Sequence, residues 1–187
     1  MKKLALSLLV AFFALALASC SEEASKPTEV TVENFKSQAK DLVDKEVTIT
    51  GVAKHICQHS GRKLFLAPEN GGDELVTVFT NKDMNPFDKE TIGKTYTING
   101  IVKITQTIDE EFLDKWEDEV NDRINNGEAV EEEGHCGTEN KAAGIEVAEN
   151  AENKELAQIK AYRKKLEENN GKPLVFYHIE CNSFEIK

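Results

Sequence analysis

Positive charge, aromatic rings and cysteine are all scarce in this sequence, and each shortage removes a class of function. Of 187 residues, 23 are Lys or Arg against 34 Asp or Glu, a formal net charge of −11. A general nucleic-acid binder carries a basic footprint, which this chain lacks. Aromatics make up 7% and charged residues 30%, so the core is modest and much of the chain is solvated. No apolar run reaches the roughly 20 residues a membrane-spanning helix needs. Catalytic templates are absent as well. There is no Gly-x-Ser-x-Gly elbow, no phosphate-cradling Gly-rich loop and no dinucleotide fingerprint,. The sequence reads as that of a non-enzyme, with a length that suits one domain carrying one sizeable insertion.

What is present begins at the N-terminus. Met1-Lys2-Lys3 precedes an apolar run from Leu4 to Ala18, and Ser19-Cys20 follows. Two lysines, a short hydrophobic segment and small residues at its end make a secretory signal peptide. Leu17-Ala18-Ser19-Cys20 also resembles the lipobox of bacterial lipoproteins, in which cleavage precedes the cysteine and its thiol is then acylated. The expected organisation is a signal peptide over 1–19, a lipidated Cys20 with a polar tether over 20–30, and one domain over 31–187. Acyl chains gain roughly 0.8 kcal/mol per buried CH₂, so several of them anchor firmly. The expected partner is therefore the membrane. The expected place is the cell envelope, as an outer-membrane lipoprotein facing either the periplasm or the cell surface. Ser21-Glu22-Glu23 resembles a surface-export signal of Bacteroidetes lipoproteins.

The charge is concentrated in one segment. Residues 28–107 hold 11 acids and 10 bases, whereas residues 109–133 hold 12 acids and two bases. The near-neutral block reads as β-rich. A short helical pattern from Thr31 to Val43 is followed by strands over 46–57, 63–67, 74–79 and 94–104, and a last one over 173–181. Asn70-Gly71-Gly72-Asp73 is a hairpin signal. Gly51 and Gly100 lie in mid-strand, where glycine commonly marks a bend or bulge. Five strands, the first and fourth long and bent, predict a five-stranded Greek-key barrel of the OB type.

Between strands four and five an insertion of about 105–172 is expected to be helical. Ile108, Phe112, Trp116, Val120 and Ile124 recur every four residues, which predicts a helix over 109–125 with one apolar stripe. Its other face is acidic and reads as solvated, and Trp116 as a core residue. A second helix carries Leu156, Ile159 and Leu166 and stops at Asn169-Asn170-Gly171. The stretch between the helices shows no periodicity.

Chemistry concentrates on cysteine and histidine. With Cys20 taken by lipid, Cys57, Cys136 and Cys181 remain, an odd number for an exported protein. One reading is a disulfide from Cys57 to Cys136 or to Cys181. Another is a metal site. His55 and Cys57 are two apart on a strand and so share a face, His59 follows in the turn, and His135-Cys136 lies in the insertion between glycines. Imidazole and thiolate suit a transition-metal ion such as Zn, although no Cys-x-x-Cys or His-Glu-x-x-His spacing is present. His178 reads as a strand residue and Cys181 as a core thiol.

The segment 46–66, with Cys57-Gln58-His59-Ser60-Gly61-Arg62-Lys63, resembles a group of Bacteroidetes lipoproteins. So do Phe87-Asp88, Gly93-Lys94 through Gly100, and Ile108 to Trp116-Glu117. The resemblance covers nearly the whole chain after Cys20 and implies an envelope lipoprotein with an OB barrel, similar in shape to the tRNA-anti-like barrels, and a helical insertion. The group's turn Cys and His map onto Cys57 and His59, and its His-rich loop onto Gly134-His135-Cys136, which here is poor in His. Nucleic acid is disfavoured by the charge. The expectation is a lipid-anchored binding protein whose His55/Cys57/His59 cluster takes a ligand, with a metal ion first, closed by His135 and Cys136. The alternative is an envelope adaptor for a protein or oligosaccharide that docks on the acidic helical hairpin.

Overall fold

The computed structural model describes residues 26–127, 137–147, 151 and 153–187. Strands β1 (Thr28–Thr31), β2 (Glu46–Ile56), β3 (Lys63–Ala67), β4 (Val76–Thr80), β5 (Thr95–Ile108) and β6 (Leu174–Ile186) form one sheet in the order β1-β2-β3-β4-β6-β5. An additional β2–β5 pairing closes it. The β2–β3, β3–β4, β2–β5 and β5–β6 pairs are antiparallel, and β4–β6 is parallel. This is the OB topology, a closed mixed barrel that leaves no long open edge.

The strands alternate because one face of each is buried. Along β2, Val47, Ile49, Ala53 and Ile56 are at most 1% exposed and Gly51 is buried with them, while Thr48, Thr50, Val52, Lys54 and His55 are at least partly open. They meet Leu64 and Leu66 of β3, Val78 of β4, Ile98 and Val102 of β5, and Ile179 and Cys181 of β6 in one core. Cys181 is thus the core thiol that the sequence suggests. The two mid-strand glycines differ. Gly100 sits at a register shift with β6. Gly51 does not; β2 bulges between Ala53 and His55, and Gly51 instead lets Ala67 and Val32 approach its Cα.

Three features depart from the sequence reading. The strand β1, a parallel addition to β2, precedes a helix α1 (Val32–Gln38) that starts one residue after Thr31, because Thr31 and Asn34 form a capping box,. β5 runs on to Ile108 and β6 to Ile186, so the insertion begins at 109 and ends at 173. Finally, the stretch without periodicity contains a helix α3 (Gly137–Ala143). Its stability comes from docking: Ala143 and Ile145 are buried, and Asn140 accepts a hydrogen bond from Gln158 at 3.0 Å.

The two expected helices form as α2 (Glu110–Asn125), capped by Asp109, and α4 (Lys154–Glu168), capped by Asn153. Leu113 and Val120 of α2 and Ile159, Tyr162 and Leu166 of α4 build a second core, separate from that of the barrel. Ile124, placed on the apolar stripe by its spacing, is 42% exposed. The acidic face of α2 is not wholly solvated either. Arg163 reaches across from α4 and donates to Glu110 at 2.7 Å and to Asp114 and Glu117 at 2.6 Å. Among the described residues no helix is long and apolar enough to cross a membrane.

Candidate functional site

Two places bear on function, the turn between β2 and β3 and the seam between the two cores.

The turn Cys57–Arg62 is held at both ends. The Cys57 amide donates to the Lys63 carbonyl at 2.8 Å and the Gly61 amide returns to the Cys57 carbonyl at 2.9 Å, with Gly61 at φ +63°. Arg62 Nη1 donates to Thr80 Oγ1 and to the carbonyls of Asn81 and Met84, each at 3.3 Å, and Lys89 Nζ donates to the Gln58 carbonyl. The turn is therefore strapped to the segment after β4. Inside it, the Ser60 and His59 amides and the Ser60 hydroxyl point at the Cys57 sulfur, with Lys63 nearby. Together these donors outweigh partial burial and hold the thiol below its usual range,.

The residues expected to bind a metal are not all gathered there. His55 lies on β2 with its ring 5.8 Å from that of Phe65, and its Nε2 is buried without a hydrogen-bond partner. Among the described residues no three of His, Cys, Asp and Glu lie close enough to hold a metal ion. Cys57 and Cys181 are both free thiols, so no bridge joins these two. Cys20, His135 and Cys136 lie outside the described residues. His178 is half-buried on β6. Its Nδ1 is 2.9 Å from Thr105 Oγ1 and its ring packs against the edge of Phe79 at 4.7 Å. Burial lowers its basicity, helped by Lys103 and Lys63 and opposed by Glu180.

The seam is the larger feature, and no pattern in the sequence points to it. Where the insertion leans on the barrel, a cleft of about 930 Å³ remains between them. One wall is the outer face of β3 and β4, with Lys63, Thr77 and Phe79. The ends of β5 and β6 supply Thr105, Gln106, Phe176 and Tyr177; α2 supplies Phe112 and Trp116; α4 supplies Gln158, Tyr162 and Lys165. Phe79, Phe112, Trp116, Phe176 and Tyr177 are half-buried, their rings partly open to the cleft. Trp116 thus lines the cleft as well as packing on the helical core.

Polar contacts fix the cleft's shape. Lys63 pairs with Glu139 of α3 and lies over the Phe79 ring at 5.2 Å. Arg123 and the Trp116 indole both donate to Glu155, at 2.9 Å and 3.5 Å. Burial raises the Tyr162 phenol above its usual range, so it stays protonated near neutrality,. In an OB barrel the face of the second and third strands, flanked by the loop joining strands one and two and the loop joining four and five, is the usual ligand face. Here those strands are β3 and β4, and the loop between strands four and five is the whole helical insertion. The insertion roofs that face.

No family model and no curated protein matches the chain. Among solved structures, the chain is similar to the telomere capping protein Ten1 from Saccharomyces pombe. That likeness has 14% identity, covers 41% of this chain and 67% of that one, and has a TM-score of 0.29. It is also similar to a DUF3299 family protein from Pseudomonas aeruginosa, at 14% identity over 46% of this chain and 87% of that one, with a TM-score of 0.30. Both likenesses concern fold and carry nothing about a ligand.

Proposed function

We propose that this chain is a lipid-anchored, non-catalytic binding protein of the bacterial cell envelope, which takes a small molecule in the cleft between its barrel and its helical insertion. The observation that carries this reading is the cleft itself. Its volume falls within the roughly 300–1,000 Å³ of small-molecule sites, and its lining of half-buried rings with a few convergent polar groups is what such sites are made of,. A roofed ligand face argues against a long polymer, which needs an open groove, and a nucleic acid would also meet the acids of α2. In this reading the ligand sits in the cleft rather than at the Cys57 turn, because the cleft has the volume and the lining of a small-molecule site,.

Trp116 is the only Trp and lines the cleft, so its emission reports occupancy. Titration with a neutral apolar dye such as Nile red should change Trp116 emission saturably in the parent. Filling the cleft by Thr77→Trp should abolish dye binding, read from the dye's own emission. Saturable dye binding that survives unchanged in Thr77→Trp would place the ligand elsewhere. The anchor has its own test: labelled palmitate should enter the parent in cells and not Cys20→Ala.

A further inference from the structure

The cleft's charges do not cancel evenly along its length. Four lysines and four glutamates line it. Lys63 is matched by Glu139, Lys115 by Glu111, Glu155 by Arg123, and Glu168 by Lys164. Glu119 stands one helical turn from Lys115 on the exposed side of α2. Lys36, at the last turn of α1, and Lys165, on α4, remain with no carboxylate among the described residues at salt-bridge distance. The Lys165 ammonium donates to the carbonyls of Ala143 at 2.8 Å and Gly144 at 2.7 Å, which leaves one of its three N–H groups,. Burial and the like charge of Lys36 push Lys165 below its ordinary range, with Glu168 opposing them. Two cations without an ion-pair partner among the described residues thus line the cleft, with Glu168, paired to Lys164, beside Lys165.

Resting on the reading of the cleft as the ligand site, we propose that its ligand is a single-chain anionic amphiphile, a long-chain carboxylate. The tail lies among Phe79, Phe112, Trp116 and Phe176, and the carboxylate meets Lys36 and Lys165. Among the described residues no arginine lines the cleft; the planar fork that favours phosphate by two parallel bonds is not offered by them, whereas a monovalent carboxylate is served by point-charge lysines. The carboxylate accepts the free N–H of Lys165 and relieves the repulsion between the two ammonium groups. The tail removes apolar ring surface from water.

The test is a chain-length series followed by Trp116 emission, with dodecanoate, tetradecanoate and hexadecanoate against the matching 1-alkanols, all below their aggregation limits. Burial of each added methylene should tighten binding of acid and alcohol alike by about fourfold until the cleft is full. The acid should bind about tenfold tighter than its alcohol, as expected for a charge-assisted hydrogen bond. Lys36→Ala, at an exposed site with no ion pair to lose among the described residues, should shrink that preference and leave the alkanol constant within about twofold. Lys165→Met should erase it; should that variant lose its fold by freeing two carbonyls, the Lys36 variant still decides. Equal affinity for acid and alcohol would overturn the head-group assignment while leaving the cleft reading intact. Nile red binding with no binding of either series would overturn the amphiphile altogether, and failure of Nile red as well would remove the cleft reading beneath it.

Discussion

Gly100→Ala tests the closure of the barrel at its tightest point. Gly100 lies in β5 opposite Cys181 of β6, at a register shift. A Cβ built on it would stand 2.3 Å from the Glu180 carbonyl oxygen and 2.6 Å from Ile179 Cγ2. Ordinary contact begins near 3.4 Å, so β5 must withdraw from β6 by about 1 Å. Forcing a methyl into a packed site costs roughly 1–3 kcal/mol, and each ladder bond weakened by the withdrawal adds up to about 1 kcal/mol. The lower entropy of the unfolded Ala chain returns about 0.4–1 kcal/mol. The expected net loss is about 3 kcal/mol, read from urea unfolding followed by Trp116 emission and far-ultraviolet dichroism. Gly93→Ala is the control. Gly93 has φ +89° and open space around it, so only left-handed strain acts, about 1–2 kcal/mol. A Gly100→Ala loss no larger than that of Gly93→Ala would refute the reasoning, since it would mean β5 and β6 are not packed that closely.

Three further outcomes are expected. Arg163→Leu removes the cation that gathers Glu110, Asp114 and Glu117; because these carboxylates are 39–64% exposed, the loss should be only about 1 kcal/mol at low salt, and it should change with ionic strength. An unfolding curve of the variant indistinguishable from the parent at low salt would contradict the clamp. With iodoacetamide near pH 7.5, Cys57 should react well before Cys181, since amide donors favour its thiolate while Cys181 is buried,; equal rates by mass spectrometry would refute the turn geometry. Burial pushes the Cys181 thiol up to about 11 from 9.0. The unfolded chain therefore gives up that proton at lower pH than the folded one, and stability should fall as pH rises from about 9 to about 11. Cys181→Ala should be less stable at pH 7 yet lose less over that window, and a slope identical to the parent would be the contrary result.

The barrel was legible because its strands are rich in β-branched residues and separated by turns of Gly, Asn and Asp. The segment 63–67 matches its strand at both ends, and the apolar spacing from Ile108 locates α2 within a residue. The strand β1 was not legible, since Thr28–Thr31 is four residues long and gains its place only by adding to β2. Neither was α3, whose sequence GTENKAA has no apolar stripe; its partners Lys63, Gln158 and Lys165 are distant in the chain and carry no local signal. The Cys57 turn stood out by composition, but the direction of the Ser60 amide, which decides the thiol's chemistry, is a backbone property. The cleft was hidden for another reason. Periodicity shows which face of an element turns inward, and here α2 and β4 both do so without filling the space between them.

Ile108 and Leu174 are paired residues of adjacent strands, so the chain leaves the barrel and re-enters it at one point, after 65 residues. For the folding chain this is a long loop to close before β5 and β6 can zip, costing about 3 kcal/mol more entropy than a two-residue turn. β6 is also the strand that completes the barrel through its parallel contact with β4. Pairing of α2 with α4, fixed by Arg163 and the Glu155–Arg123 bond, shortens the span that this loop leaves open. The helical hairpin that roofs the protein is therefore also a clasp across the mouth of the loop that separates its last two strands.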